Sequence, residues 1–137
     1  MELRFPIEFI VEGAPVSFQA KRSAARSSWK ARVKAASSAV VPDEHEVSQS
    51  RIAATLFYFP HEPMRGDVDN IVKLVLDALC GHIYVDDAQV ERIVVQKFEP
   101  ERVFGFGSPS ATLDDALSRQ RPLLYVRLSD NPFEDLK

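Results

Sequence analysis

Arg51-Ile-Ala-Ala-Thr-Leu-Phe-Tyr-Phe-Pro60 is apolar on both of its alternating faces, which is the pattern of a central strand covered on two sides. Helical spacing follows. From Asn70 to Leu79, Ile71, Val72, Val75, Leu76 and Leu79 share one broad apolar face, Lys73 and Asp77 stay outside it, and Gly81 supplies a stop. Gln89 to Phe98 then returns to period two, with Val90, Arg92, Val94 and Gln96 alternating against Glu91, Ile93, Val95 and Lys97.

Toward the amino end, Phe5, Ile7, Phe9 and Val11 alternate with Pro6, Glu8, Ile10 and Glu12, giving a strand with one buried face that Gly13 and Pro15 terminate. Ser23 to Ala39 is rich in Ala, Arg and Lys, and Trp29, Val33, Ala36 and Val40 make one apolar stripe, so the first helix belongs here. Toward the carboxyl end, Gly105, Gly107 and Pro109 mark a loop, Ala111 to Arg119 suits a short helix capped by Ser110, and Leu123 to Leu128 is the last strand. The tail after Asp130 is expected to fray. The order β-α-β-α-β-β predicts an α+β (mixed α/β) fold, one mixed sheet with helices packed on it. A chain of 137 residues with 45% hydrophobic content suits a single small domain, 1–137.

The lone Cys80 excludes an internal disulfide and lies in no zinc or redox motif; a small core residue in a reducing compartment is the simpler reading. Charges at Glu2, Arg4, Glu8 and Glu12 interrupt the first apolar stretch, and no run approaches the roughly 20 residues that span a bilayer. A cytoplasmic protein with no membrane partner is expected. The formal net charge of −3 hides an asymmetry: Ala14 to Val41 holds six basic residues, Lys21, Arg22, Arg26, Lys30, Arg32 and Lys34, and no acidic one. A helix starting at Lys21 would align Arg22, Arg26, Lys30 and Lys34 in one ridge, whereas a start at Ser27 would leave only the last two. Such a patch binds phosphates with little sequence preference, or is merely a solvated face.

Asp67, Asp69, Asp77, Asp86, Asp87 and Glu91 fall within 25 residues whose sole basic member is Lys73. A helix returning along the sheet would bring Asp67 and Asp69, before it, close to Asp86 and Asp87, after it. Three carboxylates about 5 Å apart repel by roughly 3 kcal/mol per pair at an effective dielectric near 20, a load that a divalent cation relieves. All-oxygen donors favour Mg²⁺, with Mn²⁺ as a substitute, over zinc. The plainer alternatives are an aspartate cap before a helix and a surface turn at Asp86-Asp87. Calcium-loop geometry fails, because Ile71 and Val72 stand where an oxygen ligand and a glycine are needed. His82, beside Gly81, reads as exposed rather than as a general base.

Arg65-Gly-Asp67-Val-Asp69-Asn70-Ile-Val-Lys73-Leu-Val-Leu-Asp77-Ala78-Leu79, followed by Asp86-Asp87-Ala88-Gln89-Val90, resembles the core motif of the RusA Holliday junction resolvases in order and spacing. The resemblance implies a small α/β homodimer that cuts four-way branched DNA in recombination and repair. It implies that Asp67, Asp69 and Asp87 hold the metal, with Lys73 as the family lysine. Lys73 would stabilise charge on the scissile phosphate; its alternative is an i,i+4 salt bridge to Asp77. Asp77, Asp86 and Asn70 would support these groups from behind. The stretch from Gly105 to Gln120 departs from the compact family form and reads as an insertion. Two rivals stand beside this reading, a nuclease for other branched DNA and a junction-binding protein without turnover.

Overall fold

The computed structural model describes residues 2–135. Strand β1 (Ile7–Glu12), helix α1 (Ser23–Ser38), strand β2 (Ile52–Phe59), helix α2 (Val72–Leu79), strand β3 (Val90–Lys97), helix α3 (Ala111–Ser118) and strand β4 (Leu123–Ser129) follow in chain order. The sheet order is β1-β4-β2-β3. β4 runs antiparallel to both β1 and β2, and β2 runs parallel to β3. A parallel pair needs a crossover connection, and α2 is that crossover. Asp67 and Asp69 precede it, and Asp86 and Asp87 follow it.

Alternation on the strands divides the core into two layers. Ile7, Phe9, Val11, Ile52, Ala54, Leu56, Leu124, Val126 and Leu128 pack with Trp29 and Val33 of α1 and with Leu74, Val75 and Leu79 of α2. On the opposite face Phe59, Leu123 and Tyr125 meet Leu113 and Ala116 of α3, together with Phe57, Phe98 and Phe106. The two-sided reading of β2 therefore holds, because helices cover one face and an aromatic layer the other. The segment read as an insertion supplies that second cover, and Ser110 caps α3 by accepting the Leu113 N–H at 3.1 Å.

Three expectations need correction. Val40 does not extend the α1 stripe: the helix ends at Ser38, Val40 is half exposed, and Ser37 takes the buried place because its hydroxyl can donate to the Lys34 carbonyl at 2.7 Å. Helix α2 does not begin at Asn70; Val68–Ile71 winds as a tighter 3₁₀ turn before it. The described part of the tail does not fray. Arg127 pairs with Glu134 at 2.5 Å and Arg92 donates to the Glu134 carbonyl at 2.7 Å, which holds it against the sheet; Leu136 and Lys137 lie outside the described residues. No helix among the described residues is long and apolar enough to cross a membrane.

Candidate active site

Gly66, at φ +82°, turns the chain out of the loop after β2. Asp67 follows in extended backbone and precedes the 3₁₀ turn, its carbonyl accepting the Asn70 N–H at 3.1 Å. The Asn70 carbonyl in turn accepts the Phe18 N–H at 3.3 Å, fastening the turn to the segment between β1 and α1. Asp67 and Asp69 are both exposed, and neither carboxylate has a hydrogen-bond or ion-pair partner among the described residues.

Lys73 stands in the first turn of α2. Its Nζ lies 2.8 Å from Asp77 Oδ1 and 3.4 Å from Asp87 Oδ2. The hydrogen bond to Asp77, then the charges of Asp77 and Asp87, hold the Lys73 ammonium above the usual lysine range. The i,i+4 pair expected as the alternative thus exists, and the same ammonium also reaches the other half of the motif.

Asp87 is held from behind. The buried Tyr84 hydroxyl lies 3.1 Å from Asp87 Oδ1 and 2.9 Å from the Leu76 carbonyl, two acceptors competing for one proton. Burial, then the Asp87 charge, pushes the Tyr84 phenol well above its ordinary value. The turn itself is stapled by Gln89. Its Oε1 accepts the Val85 and Asp86 N–H groups at 2.8 and 2.9 Å, and its Nε2 donates to the Ser48 and Ser50 carbonyls at 2.9 and 2.8 Å.

A family model described as Endodeoxyribonuclease RusA matches residues 14–104. The chain belongs to the RusA endodeoxyribonuclease family. The likeness of the acidic motif to the RusA Holliday junction resolvases is borne out by that match, which covers every acidic and basic residue of the candidate site. No curated protein matches the sequence. β1, α3 and β4 lie outside the RusA match.

The side chains of Asp67, Asp69 and Asp87 offer carboxylate oxygens, the donor type that hard cations take. The nearby Cys80 thiol donates to the Val85 carbonyl at 3.5 Å, and burial, with Asp87 and Asp86, pushes its pKa up, so it offers no soft thiolate. Among the described residues no three His, Cys, Asp or Glu side chains form a ready metal cage. The exposed Asp67 and Asp69 side chains would have to turn inward to join Asp87. Asn70 acts here through its backbone, and Asp86 sits at the start of the 3₁₀ turn Asp87–Gln89.

The basic residues divide by environment. α1 starts at Ser23, with Arg22 as its N-cap, so Arg26, Lys30 and Lys34 share the four-residue spacing within the helix and Lys21 precedes it. Arg26 donates to the Ala20 carbonyl and Arg32 to the Glu12 carbonyl, the latter at 3.0 Å, so Arg26 is tied to the approach to α1 and Arg32 to the end of β1. Gly13, at φ +110°, lets that guanidinium pass; a Cβ there would collide with Arg32 Nη1. Lys21, Arg22 and Lys34 are exposed.

Sequence reading passed over Tyr84 and His45, named Gln89 only within the motif, and took His82 as exposed. The Asp86–Gln89 spacing is that of a capping box, so the Gln89 clamp had a local signal. His82 is half-buried rather than exposed: its Nε2 lies 3.0 Å from Ser37 Oγ, and its ring meets that of His45 edge-on at 5.1 Å. Burial, then His45 and Lys34, holds the His82 pKa below the usual imidazole range. No local pattern pointed to that contact.

Proposed function

We propose that the protein is a Mg²⁺-dependent Holliday junction resolvase that nicks two opposing strands as a homodimer, in cytoplasmic DNA recombination and repair. The observation that carries the reading is Lys73, whose ammonium joins the helix after the Asp67-Val-Asp69 turn to Asp87. In this reading Asp67, Asp69 and Asp87 hold the cation. When bound, it supplies an activated water and offsets charge on the phosphate.

The chain's own residues do the rest. Lys73 stabilises charge developing on the phosphate oxygens, and Asp77, 2.8 Å away, orients it. Tyr84 and Gln89 fix the Asp87 turn. Lys21, Arg22, Arg26, Lys30, Arg32 and Lys34 neutralise backbone phosphates, giving affinity that weakens steeply with salt. A junction has approximate two-fold symmetry and is cut at two places, which one site per chain serves most simply in a two-fold dimer.

The test is cleavage of a labelled mobile four-way junction, beside a flap and a linear duplex, with and without Mg²⁺ and with Asp69→Asn. Paired symmetric nicks on the junction that require both Mg²⁺ and Asp69 are expected. Preference for the flap would make the protein a nuclease of other branched DNA, and tight binding without cleavage in any divalent ion would leave a binding protein.

A further inference from the structure

A cavity of about 310 Å³ opens beside the Asp67-Val-Asp69 turn, lined among others by Tyr58, Pro60, His61, Pro63, Arg65 and Ile71. We propose that it receives one unstacked nucleobase of the DNA substrate, next to the phosphate being cut. The proposal rests on the endonuclease reading above and adds to it a residue that reads the base, Tyr58.

Tyr58 is only 7% exposed, and its hydroxyl has no hydrogen-bond partner among the described residues. Nor is that hydroxyl sealed off, since Trp29 Nε1 is the one fully enclosed side-chain polar atom without a partner among the described residues. A hydroxyl open to the cavity bonds water there, and a ligand that displaces that water can take over its hydrogen bond. Burial also raises the Tyr58 phenol pKa, so it remains a neutral hydroxyl that can both donate and accept.

The surroundings favour a base over a phosphate. Pro60, Pro63 and Ile71 make apolar walls, and the exposed Glu62 at the rim opposes an anion inside. Arg65, also exposed at the rim, is two residues from Asp67, so a phosphate at the acidic turn leaves its base within reach. The cavity is preformed: the Met64 N–H is held by Glu99 Oε2 at 2.8 Å, and Arg121 holds the Pro60 and Phe98 carbonyls at 3.2 and 2.6 Å. Its volume is at the small end of ligand pockets, and extruding one base costs a few kcal/mol, least where the base is already unpaired.

The test places 2-aminopurine at each position flanking the cut in a four-way junction and binds the protein in Ca²⁺ to withhold cleavage. Fluorescence is expected to rise at one position with the unaltered protein and not with Ala14→Phe, whose ring would fill the cavity from its exposed wall. In Mg²⁺, Tyr58→Phe, which removes only the hydroxyl, is expected to narrow the ratio between preferred and disfavoured cleavage sequences by about tenfold. Its melting temperature checks the fold. No fluorescence change at any position on a junction that is bound and cut, with an unchanged sequence ratio in Tyr58→Phe, would overturn the pocket alone. Failure to bind or cut any branched DNA would overturn the resolvase reading, and the pocket with it.

Discussion

The Gln89 side-chain amide donates to the Ser48 carbonyl at 2.9 Å, tying the turn that carries Asp87 to the approach of β2. The same side chain accepts two backbone N–H groups of that turn. Gln89→Glu keeps the acceptor half and loses the donor half, setting a carboxylate against two carbonyl oxygens. We expect a loss of about 1–2 kcal/mol in urea unfolding and a fall in cleavage larger than the fall in junction affinity. Equal losses in both would contradict a role in placing Asp87.

Lys73 is half exposed, so its ion pairs add little to stability. Lys73→Met is therefore expected to unfold within about 0.5 kcal/mol of the parent. Cleavage should fall about a hundredfold or more, as when a donor to a developing anion is removed. Because Asp77 and Asp87 raise the Lys73 pKa, the group stays charged through the neutral range, and any stability linked to it is lost only as the pH rises beyond the usual lysine value. A titration step in cleavage between pH 6 and 8 that disappears in Lys73→Met would refute this.

His82 works in the opposite direction. Its folded pKa lies below the unfolded value, so the unfolded chain takes up the proton first and stability falls as the pH drops below about 6.5, until the folded form protonates too. The slope from one such group is at most about 1.4 kcal/mol per pH unit. His82→Gln, which keeps an Nε2 donor near Ser37, is expected to flatten the unfolding free energy between pH 7 and 5. An unchanged slope would assign the acid sensitivity elsewhere.

Gly66 holds φ +82° immediately before Asp67, and among the described residues nothing lies within 4 Å of a Cβ placed on it. The effect of Gly66→Ala is therefore one of backbone conformation alone, about 1–2 kcal/mol. Calorimetry should show the stability loss, and weaker Mg²⁺ dependence of cleavage should accompany it if the turn is displaced.

Lys34 is exposed on α1 and has no ion-pair partner among the described residues. Lys34→Gln should leave the melting temperature unchanged. If it contacts a phosphate, the slope of log affinity against log salt falls by about 0.9. An unchanged slope removes Lys34 from the DNA surface.

Much of the candidate site could be read locally. Asp67, Asp69, Lys73 and Asp87 were legible from their order and spacing, and Ser110 from its place before an apolar run. The aromatic layer over β2 was partly legible: Phe57 and Phe59 alternate as a strand should and Phe98 closes the next period-two run, but Phe106 comes from a loop with no period. Ser37 could not be foreseen, because a serine is buried only when a particular carbonyl is free to receive it, here that of Lys34.

By itself the sequence determined the element types, the acidic order and the family, because periodicity of two or 3.6 and motif spacing are properties of neighbouring residues. Only the tertiary structure decided that β4, last in the chain, lies between β1 and β2. It likewise set one ammonium between Asp77 and Asp87, docked Glu134 on Arg127, and left the Tyr58 hydroxyl without a partner among the described residues. These outcomes depend on which distant surfaces are buried together and which polar groups are then left to be satisfied, and a local pattern carries no record of either.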